Sequence, residues 1–188
     1  GSADALTQVL REDPSAVRDA ELVAVWLERR SLAGDRPLKV LEVGPAALLR
    51  RTPARVAYQF IEARSALLTA AEPGRVDGDS WLESQEHAPA SLDVLVAAHV
   101  LSAARDVDAA LRRVRALLRP GGALVVIETT EPTRRWDQLV LGLTPEWWRF
   151  DGTDGRTTTP LLSAGAWRER LERGGFGAVQ VEAPGGPT

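Results

Sequence analysis

Four short runs rich in Val, Leu and Ile most strongly constrain the fold of this 188-residue chain. The runs LKVLEV, RVAYQFI, LDVLVAA and GALVVIE occupy residues 38–43, 55–61, 92–98 and 122–128. Continuous apolar runs of this length are typical of strands that are buried on both faces of a sheet. Helical stretches separate the runs, as the crossovers between parallel strands require. The pattern therefore predicts an α/β fold with a doubly wound, mostly parallel sheet and helices on both faces.

Two helices are predicted around these strands. Helical spacing of apolar residues begins at about Ser15, a suitable N-cap, and stops at Gly34. The clearest helix spans residues 106–119. Asp106 is its expected N-cap, and the Pro120-Gly121-Gly122 run is its expected stop, because proline and glycine do not continue a helix.

The same pattern recurs near the end of the sequence. Ser163 is the expected N-cap of an amphipathic helix, which a glycine stop separates from a further strand at residues 178–183. The Gly- and Thr-rich stretch at residues 151–160 is predicted to be a surface loop that is either mobile or functional.

Composition narrows the chemistry that the chain can perform. Cysteine and methionine are absent and there are only two histidines, so disulfides, thiolate zinc sites and cysteine nucleophiles are excluded and no metal site is expected. A net charge of −3 gives no basic field, and we expect neither a nucleic-acid nor a membrane partner. The absence of a signal pattern favours a cytoplasmic location. Without an initiator methionine, the sequence is expected to be part of a longer chain.

Two acidic residues stand near the ends of predicted strands. Glu42 lies beside Gly44 at the end of the first strand, and Glu62 ends the second, where the ribose hydroxyls of a bound adenosine would lie. The run LLRPGGALVVIE then supplies a helix, a turn and a strand. Each feature is weak alone, because Glu42 could equally accept hydrogen bonds from nearby backbone.

Together, and in this order, these features resemble the class I S-adenosylmethionine-dependent methyltransferases, which have a Rossmann-like fold. The runs VLEVG, LDVLVAAHVLSAARDVDAALRRVRALLRPGGALVVIETT and LGLTPEWWRF are similar to the C-methyltransferase domains of modular polyketide synthases. LGLTPEWWRF is the most specific of them, and the resemblance covers most of residues 38–183. It implies S-adenosylmethionine as cofactor and methylation of the α-carbon of a β-ketoacyl chain held on an acyl carrier protein.

The expected cofactor loop departs from the family pattern. Family members carry a Glu-x-Gly-x-Gly-x-Gly loop, whereas this chain reads EVGPAALLRR. Each Cβ at residues 45–47 adds bulk where backbone should approach the cofactor, and Pro45 also lacks an N–H donor. Leu48 and Leu49 suit packing of a following helix. We therefore expect no bound cofactor, and the residues that the resemblance would assign to it are vestigial: Glu42, Gly44 and Glu62.

The expected catalytic turn departs from the family as well. The resemblance implies a general-base histidine in a VLHAT-like turn, and here VLSAA places Ser102 at that position. A serine hydroxyl is no base near neutral pH without activation. Glu128 is the retained acidic partner of the missing base. His99 is the only candidate to replace it, and its plainer interpretation is a polar residue at a strand end.

Aromatic and basic side chains permit two interpretations each. Trp147 and Trp148 resemble the substrate-side wall of the family, with core packing as an equal alternative. Three further tryptophans at amphipathic positions are expected in the core: Trp26, Trp81 and Trp167. One helix carries three arginines that are expected to form a solvated face, or otherwise to contact a carrier protein: Arg112, Arg113 and Arg115.

Three functional hypotheses follow. The preferred one is a non-catalytic pseudo-methyltransferase domain, with a short lid remnant at residues 1–37 and an α/β core at residues 38–188. It would be retained for a structural role beside the neighbouring domains and acyl carrier protein of a polyketide synthase module. The alternatives are an active C-methyltransferase with unusual loop chemistry and a binding module that retains a nucleoside or acyl pocket.

Overall fold

The computed structural model describes residues 14–44, 47–49, 52–62, 87–130 and 148–182. Across these residues the chain forms three helices and four strands. In chain order they are α1 (Pro14–Leu32), β1 (Leu38–Gly44), β2 (Val56–Glu62), β3 (Leu92–Ala98), α2 (Val107–Leu117), β4 (Leu118–Ile127) and α3 (Ala164–Arg173).

The four strands form one parallel sheet in the order β2-β1-β3-β4. The central pair is in register from Val40 opposite Val94 to Val43 opposite Ala97. The chain leaves β1 toward one edge of the sheet and then crosses back to β3 on the other side of β1. This reversal confirms the predicted doubly wound topology.

Alternate residues of the central strands face two separate apolar layers, because successive side chains of a strand point to opposite faces. One layer joins the sheet to α2 and α3 and includes Leu41, Val43, Leu95, Leu111 and Trp167. The other joins the sheet to α1 and includes Val23, Leu27, Val40, Val94 and Val96. Helices therefore cover both faces, as the sequence predicts.

A buried carboxylate connects three strands at the amino edge of the sheet. Asp93 on β3 is fully buried and accepts hydrogen bonds from both terminal nitrogens of Arg36, each at 2.9 Å. It also accepts the backbone N–H of Lys39 on β1 at 2.8 Å and pairs with Arg119 on β4. Although burial alone would raise its pKa, the Lys39 N–H and the two arginines hold the pKa of Asp93 below its ordinary value.

Two predicted boundaries near the chain ends differ from the structure. Helix α1 begins at Pro14, so Ser15 lies inside the helix and is not its N-cap. Proline fits the first helical turn, where its missing N–H has no intrahelical partner. The strand expected at residues 178–183 does not form over residues 178–182, and residue 183 lies outside the described range. Here the carbonyl of Val179 accepts a side-chain bond from Arg168 at 2.8 Å, and the segment pairs with no described strand.

The boundary between α2 and β4 also differs from the prediction. Asp106 caps the helix as expected, accepting the N–H of Ala109 at 2.9 Å. The helix nevertheless ends at Leu117, and Leu118 is already extended and paired with Leu92. The Pro-Gly-Gly run therefore lies inside β4, at a register irregularity, and does not stop the helix. Pairing with β3 outweighs the local preference of these residues.

The expected helix after Ser163 is confirmed, with the Ser163 hydroxyl accepting the N–H of Ala166 at 3.2 Å. Trp167 on this helix is buried, as predicted. Trp26 is not a core residue, because α1 turns Val23 and Leu27 toward the sheet and leaves Trp26 37% exposed beside Arg30. Trp81 lies outside the described residues.

Candidate functional site

The candidate site lies at the carboxyl edge of the sheet, around the ends of β1, β3 and β4. In doubly wound sheets ligands bind at this edge, where the strand order reverses, and here the reversal lies between β1 and β3. Gly44 ends β1 opposite Glu62, the last residue of β2, so two of the predicted cofactor residues are neighbours. Glu62 is exposed at this edge.

Glu42, the third predicted cofactor residue, is 0% exposed. One carboxylate oxygen accepts the backbone N–H of Leu48, and the other accepts the N–H of Leu49 at 3.2 Å. The second oxygen also accepts the Tyr58 hydroxyl, from β2, at 2.9 Å. Both oxygens are therefore bonded to groups of the chain itself, which is the alternative that the sequence left open for this residue.

Burial raises the pKa of both members of the hydrogen-bonded pair, Glu42 and Tyr58. Desolvation raises the pKa of Glu42, although the N–H groups of Leu48 and Leu49 and the Tyr58 hydroxyl act in the opposite direction. Burial, the charge of Glu42 and the hydrogen bond to it together raise the pKa of Tyr58, so the phenol stays a donor.

The described part of the loop after β1 is not helical at residues 47–49. Leu48 and Leu49 themselves are therefore not helical, and the following helix that they were expected to pack lies outside the described residues. Leu49 is buried in the α1 layer, while its N–H and that of Leu48 turn to Glu42. The Glu42 carboxylate thus accepts hydrogen bonds from two backbone N–H groups that no helical hydrogen bond pairs. Residues 45, 46, 50 and 51 lie outside the described residues.

The structure brings Ser102 and Glu128 together, as expected for a base position and its acidic partner. The Ser102 hydroxyl donates to one Glu128 oxygen at 2.7 Å. The other oxygen accepts the N–H groups of Leu101 at 2.8 Å and Ser102 at 3.1 Å. The carboxylate after β4 thus orders the turn that follows β3.

His99 follows β3 with a positive φ of 53°, which non-glycine residues rarely adopt. Its backbone N–H donates to the carbonyl of Ile127 at 2.8 Å, and the residue is half-buried. This position agrees with the plainer interpretation of a polar residue at a strand end.

Sequence reasoning missed Arg156, which is 4% exposed although it lies in a stretch that resembles an ordinary surface loop. Its Nε donates to Asp154 at 2.8 Å, and Nη1 donates to the carbonyl of Ser102 at 2.6 Å. Desolvation lowers the pKa of Arg156, while the charge of Asp154 opposes that change. The acidic and basic residues of DGTDGR were the only sequence signal for such a pair.

Comparison with known proteins identifies the family. The family described as a methyltransferase domain matches residues 17–181, most of the chain. The chain belongs to the methyltransferase domain family. Its parallel sheet, with helices on both faces, is the Rossmann-like fold of the class I methyltransferases.

The methyltransferase domain is similar to regions of fungal polyketide synthases. It is 38% identical over 109 residues to a polyketide synthase-nonribosomal peptide synthetase of Aspergillus clavatus, covering 58% of this chain and 3% of that protein. It is 41% identical over 113 residues to the lovastatin diketide synthase lovF of Aspergillus terreus, covering 58% of this chain and 4% of that protein. The chain thus spans only a small part of these synthases.

Solved structures agree with this relationship. The CurJ carbon methyltransferase superimposes with a TM-score of 0.73 and 26% identity, covering 96% of this chain and 53% of that one. The CMeT domain of the citrinin polyketide synthase gives a TM-score of 0.63 and 26% identity, covering 92% and 50%. The chain spans about half the length of each.

The remaining predicted residues of the methyltransferase domain are at its surface or outside the described ranges. Trp148 is 51% exposed and lies 6.2 Å from the ring of Phe150, so core packing is excluded for it. Trp147 lies outside those ranges. The predicted solvated face of α2 is confirmed, since all three of its arginines are exposed: Arg112, Arg113 and Arg115.

The described part of the chain has neither a metal-binding cluster nor a membrane-spanning helix. No group of three or more His, Asp or Glu side chains there could hold a metal ion. No helix there has the length and apolar character needed to cross a membrane.

Proposed function

We propose that this methyltransferase domain is a non-catalytic C-methyltransferase-like domain of a modular polyketide synthase, retained for a structural, domain-organising role. Its partners would be the neighbouring domains of the module and its acyl carrier protein, in the cytoplasm. The observation that carries the proposal is the burial of Glu42 beneath the N–H groups of Leu48 and Leu49 and the Tyr58 hydroxyl.

The Glu42 part of the cofactor side does not fit S-adenosylmethionine. Both oxygens of Glu42 are bonded within the chain and closed to solvent, so this carboxylate cannot accept from a ligand, although Glu62 is exposed at the same edge. Opening the site would break three hydrogen bonds and leave a buried carboxylate without partners, which costs several kcal/mol. This burial supports the proposal that the cofactor is not bound.

The catalytic side lacks a base of suitable strength. The Ser102 hydroxyl donates its proton toward Glu128, so its oxygen is neither ionised nor free of that contact. A neutral alcohol that donates its hydrogen bond is not a base near neutral pH without activation. The contact therefore orders the turn and supplies no group that would remove a proton from an α-carbon.

A structural role needs only that the domain fold without a ligand. Each face of the sheet has its own apolar layer, and Asp93 connects three strands at the opposite edge. Leu49 and Leu101 of the candidate site pack into these layers, so the site is part of the folded core. These contacts form within the chain itself, which supports retention of the domain as a folded unit that separates or positions its neighbours.

Methyl transfer to a carrier-bound β-ketoacyl chain tests the proposal. Four proteins would be compared: the natural sequence, Ser102→His, a variant with a Gly-rich family-type loop in place of residues 45–50, and the combination of both changes. We expect no methylated product from the first three and turnover, if any, only from the combination, because base and cofactor loop act as one unit. Ser102→Ala in the loop variant is the matched control.

Mass spectrometry of the carrier-bound chain would report the product. Methylation by the natural sequence would contradict the proposal and favour an active enzyme. Turnover by Ser102→His alone would show that the cofactor side is functional and that only the base is missing.

A further inference from the structure

We propose that Arg156 is a positioning residue that fixes the turn at residues 101–105 on Glu128 and so determines where the side chain at position 102 lies. This inference concerns the geometry of the turn, and it does not depend on whether the domain transfers methyl groups. It assigns a role to a loop that the sequence left without one.

The guanidinium of Arg156 uses every donor it has. A guanidinium carries five N–H donors in a planar fork. Nε donates to Asp154 at 2.8 Å, and Nη1 donates to the carbonyls of Ser102 at 2.6 Å and Pro160 at 3.4 Å. Nη2 donates to the carbonyl of Ala104 and to a second carbonyl of the same turn, that of Arg105, at 3.1 Å.

Arg156 and Glu128 bind the turn at residues 101–105 from two sides. Its carbonyl groups at residues 102, 104 and 105 face Arg156, while its N–H groups at residues 101 and 102 face Glu128. The two charged groups therefore hold opposite polar sides of one short backbone segment. Removing the guanidinium would leave the carbonyls of residues 102, 104 and 105 without this donor. Because Ala104 is buried, its unpaired carbonyl costs free energy unless the turn moves.

Arg156 is itself fixed in orientation by Asp154 and Phe150. The side chains of Arg156 and Asp154 are 2% and 0% exposed. The same Asp154 oxygen accepts the N–H of Val107, the first residue of α2, at 3.1 Å. Phe150 lies 5.4 Å from the guanidinium. The arginine is thus fixed relative to the helix that follows the turn, and lysine, with three donors on one nitrogen, cannot reproduce this pattern.

The cofactor side of the candidate site, after β1, therefore differs in its contacts from the catalytic side, after β3. After β1, the N–H groups of Leu48 and Leu49 cover the buried Glu42, whereas the turn after β3 keeps the arrangement that would place a base against a carboxylate. An imidazole introduced by Ser102→His should therefore lie beside Glu128, whose negative charge favours the protonated ring.

Titration of that imidazole by NMR tests the inference. In Ser102→His we expect its midpoint to lie about one pH unit above the ordinary value for histidine. In Ser102→His with Arg156→Lys, the midpoint should return to the ordinary value, because the turn no longer presents position 102 to Glu128. The readout requires no methyl transfer, so its failure is distinct from failure of the proposed function.

The matched control is Arg170→Lys in the same Ser102→His background. Arg170 is also buried, but it contacts the Asp154 carbonyl and Asp108 and none of the groups of the turn. The Arg170→Lys change should lower the melting temperature and leave the pH midpoint of the imidazole titration unchanged. An ordinary midpoint in Ser102→His, or equal midpoints with and without Arg156→Lys, would overturn the inference, as would an equal change from Arg170→Lys.

A second variant and a second measurement cover the case in which Arg156→Lys does not fold. Asp154→Asn keeps the size of the side chain and weakens the contact that orients the guanidinium, and it should lower the midpoint in part. In the chain with Ser102 retained, amide hydrogen exchange at Leu101 and Ser102 should be slow and should become at least tenfold faster in Asp154→Asn. No change in either measurement would overturn the inference.

Discussion

At the scale of single residues, Glu42 is where charge and burial conflict most directly. Its carboxylate is fully buried, and desolvation raises its pKa although three donors oppose the change. A folded state that holds a proton more tightly than the unfolded chain loses stability as the pH rises through the interval between the two pKa values. Glu42 therefore makes the fold more stable below this interval than above it.

Glu42→Gln should remove this dependence, because the amide cannot ionise. As the pH rises from 4 to 8, the unfolding free energy of the variant should increase relative to that of the natural sequence. The increase should be about 1.4 kcal/mol for each pH unit between the unfolded and folded pKa values of Glu42. Thermal or urea unfolding followed by circular dichroism at several pH values measures the difference. A difference that stays constant, or moves against the variant, would show that Glu42 is not held at a raised pKa.

Tyr58→Phe is the matched change on the partner. It removes a donor that stabilises the ionised carboxylate and leaves the carboxylate in place. Its cost should therefore grow as the pH rises and Glu42 ionises, to about 1–2 kcal/mol, which is the opposite trend to Glu42→Gln. The same unfolding series measures it. An equal loss at pH 4 and pH 8 would mean that the hydroxyl does not interact with a titrating group.

At the scale of elements, the junction of α2 and β4 depends on Gly122. A Cβ at this position would lie 2.9 Å from the carbonyl oxygen of Arg119 and 3.2 Å from that of Leu92. Both are backbone atoms of paired strands, so neither can move without disturbing the ladder. The glycine therefore permits β4 to begin at Leu118 and to pass the irregularity opposite β3.

Gly122→Ala should destabilise the domain by about 1–3 kcal/mol, the range typical of an overpacked site. Gly165→Ala in α3 is the control, since its Cβ would meet only the Ser163 hydroxyl at 3.9 Å and alanine favours the helix. Urea unfolding should show a loss for the first variant and a small gain for the second. Equal stability of the two would contradict the close approach at Gly122.

The same junction shows how far sequence alone can predict the elements. LDVLVAA and its companion runs are predictable as strands, because continuous apolar runs suit a sheet buried on both faces. The start of β4 was not predictable. Pro-Gly-Gly locally favours the end of a helix, whereas the pairing of Leu118 with Leu92 is a tertiary contact. The strand predicted at residues 178–183 does not form over residues 178–182, because no described strand lies beside this segment.

At the scale of the whole molecule, the sequence predicted which residues lie at this edge of the sheet but not all of their contacts. Glu42 was predicted from its place near a strand end, and Ser102 and Glu128 from the resemblance to the family's catalytic turn. Closure of the loop over Glu42 was only one of two interpretations, since it depends on which way two backbone N–H groups turn. Arg156 was missed because nothing in a Gly- and Thr-rich stretch indicates that a side chain is buried elsewhere.

Over the described residues, the sheet has an apolar layer on each face, and Asp93 connects three of its strands. At the candidate site, Glu42 is buried under the N–H groups of Leu48 and Leu49, and the turn after β3 is ordered by Glu128. We propose that the burial of Glu42, and not the absence of a base alone, prevents cofactor binding. Changes at position 102 should therefore leave the affinity for S-adenosylmethionine unaltered.

Isothermal titration calorimetry with S-adenosylmethionine tests this claim most directly. The natural sequence and Ser102→His should both give no saturable heat up to millimolar cofactor, because Leu48, Leu49 and Tyr58 already occupy the Glu42 carboxylate. Replacement of residues 45–50 by a Gly-rich family-type loop should be needed before any binding appears. A one-to-one isotherm with micromolar affinity for the natural sequence would contradict the account.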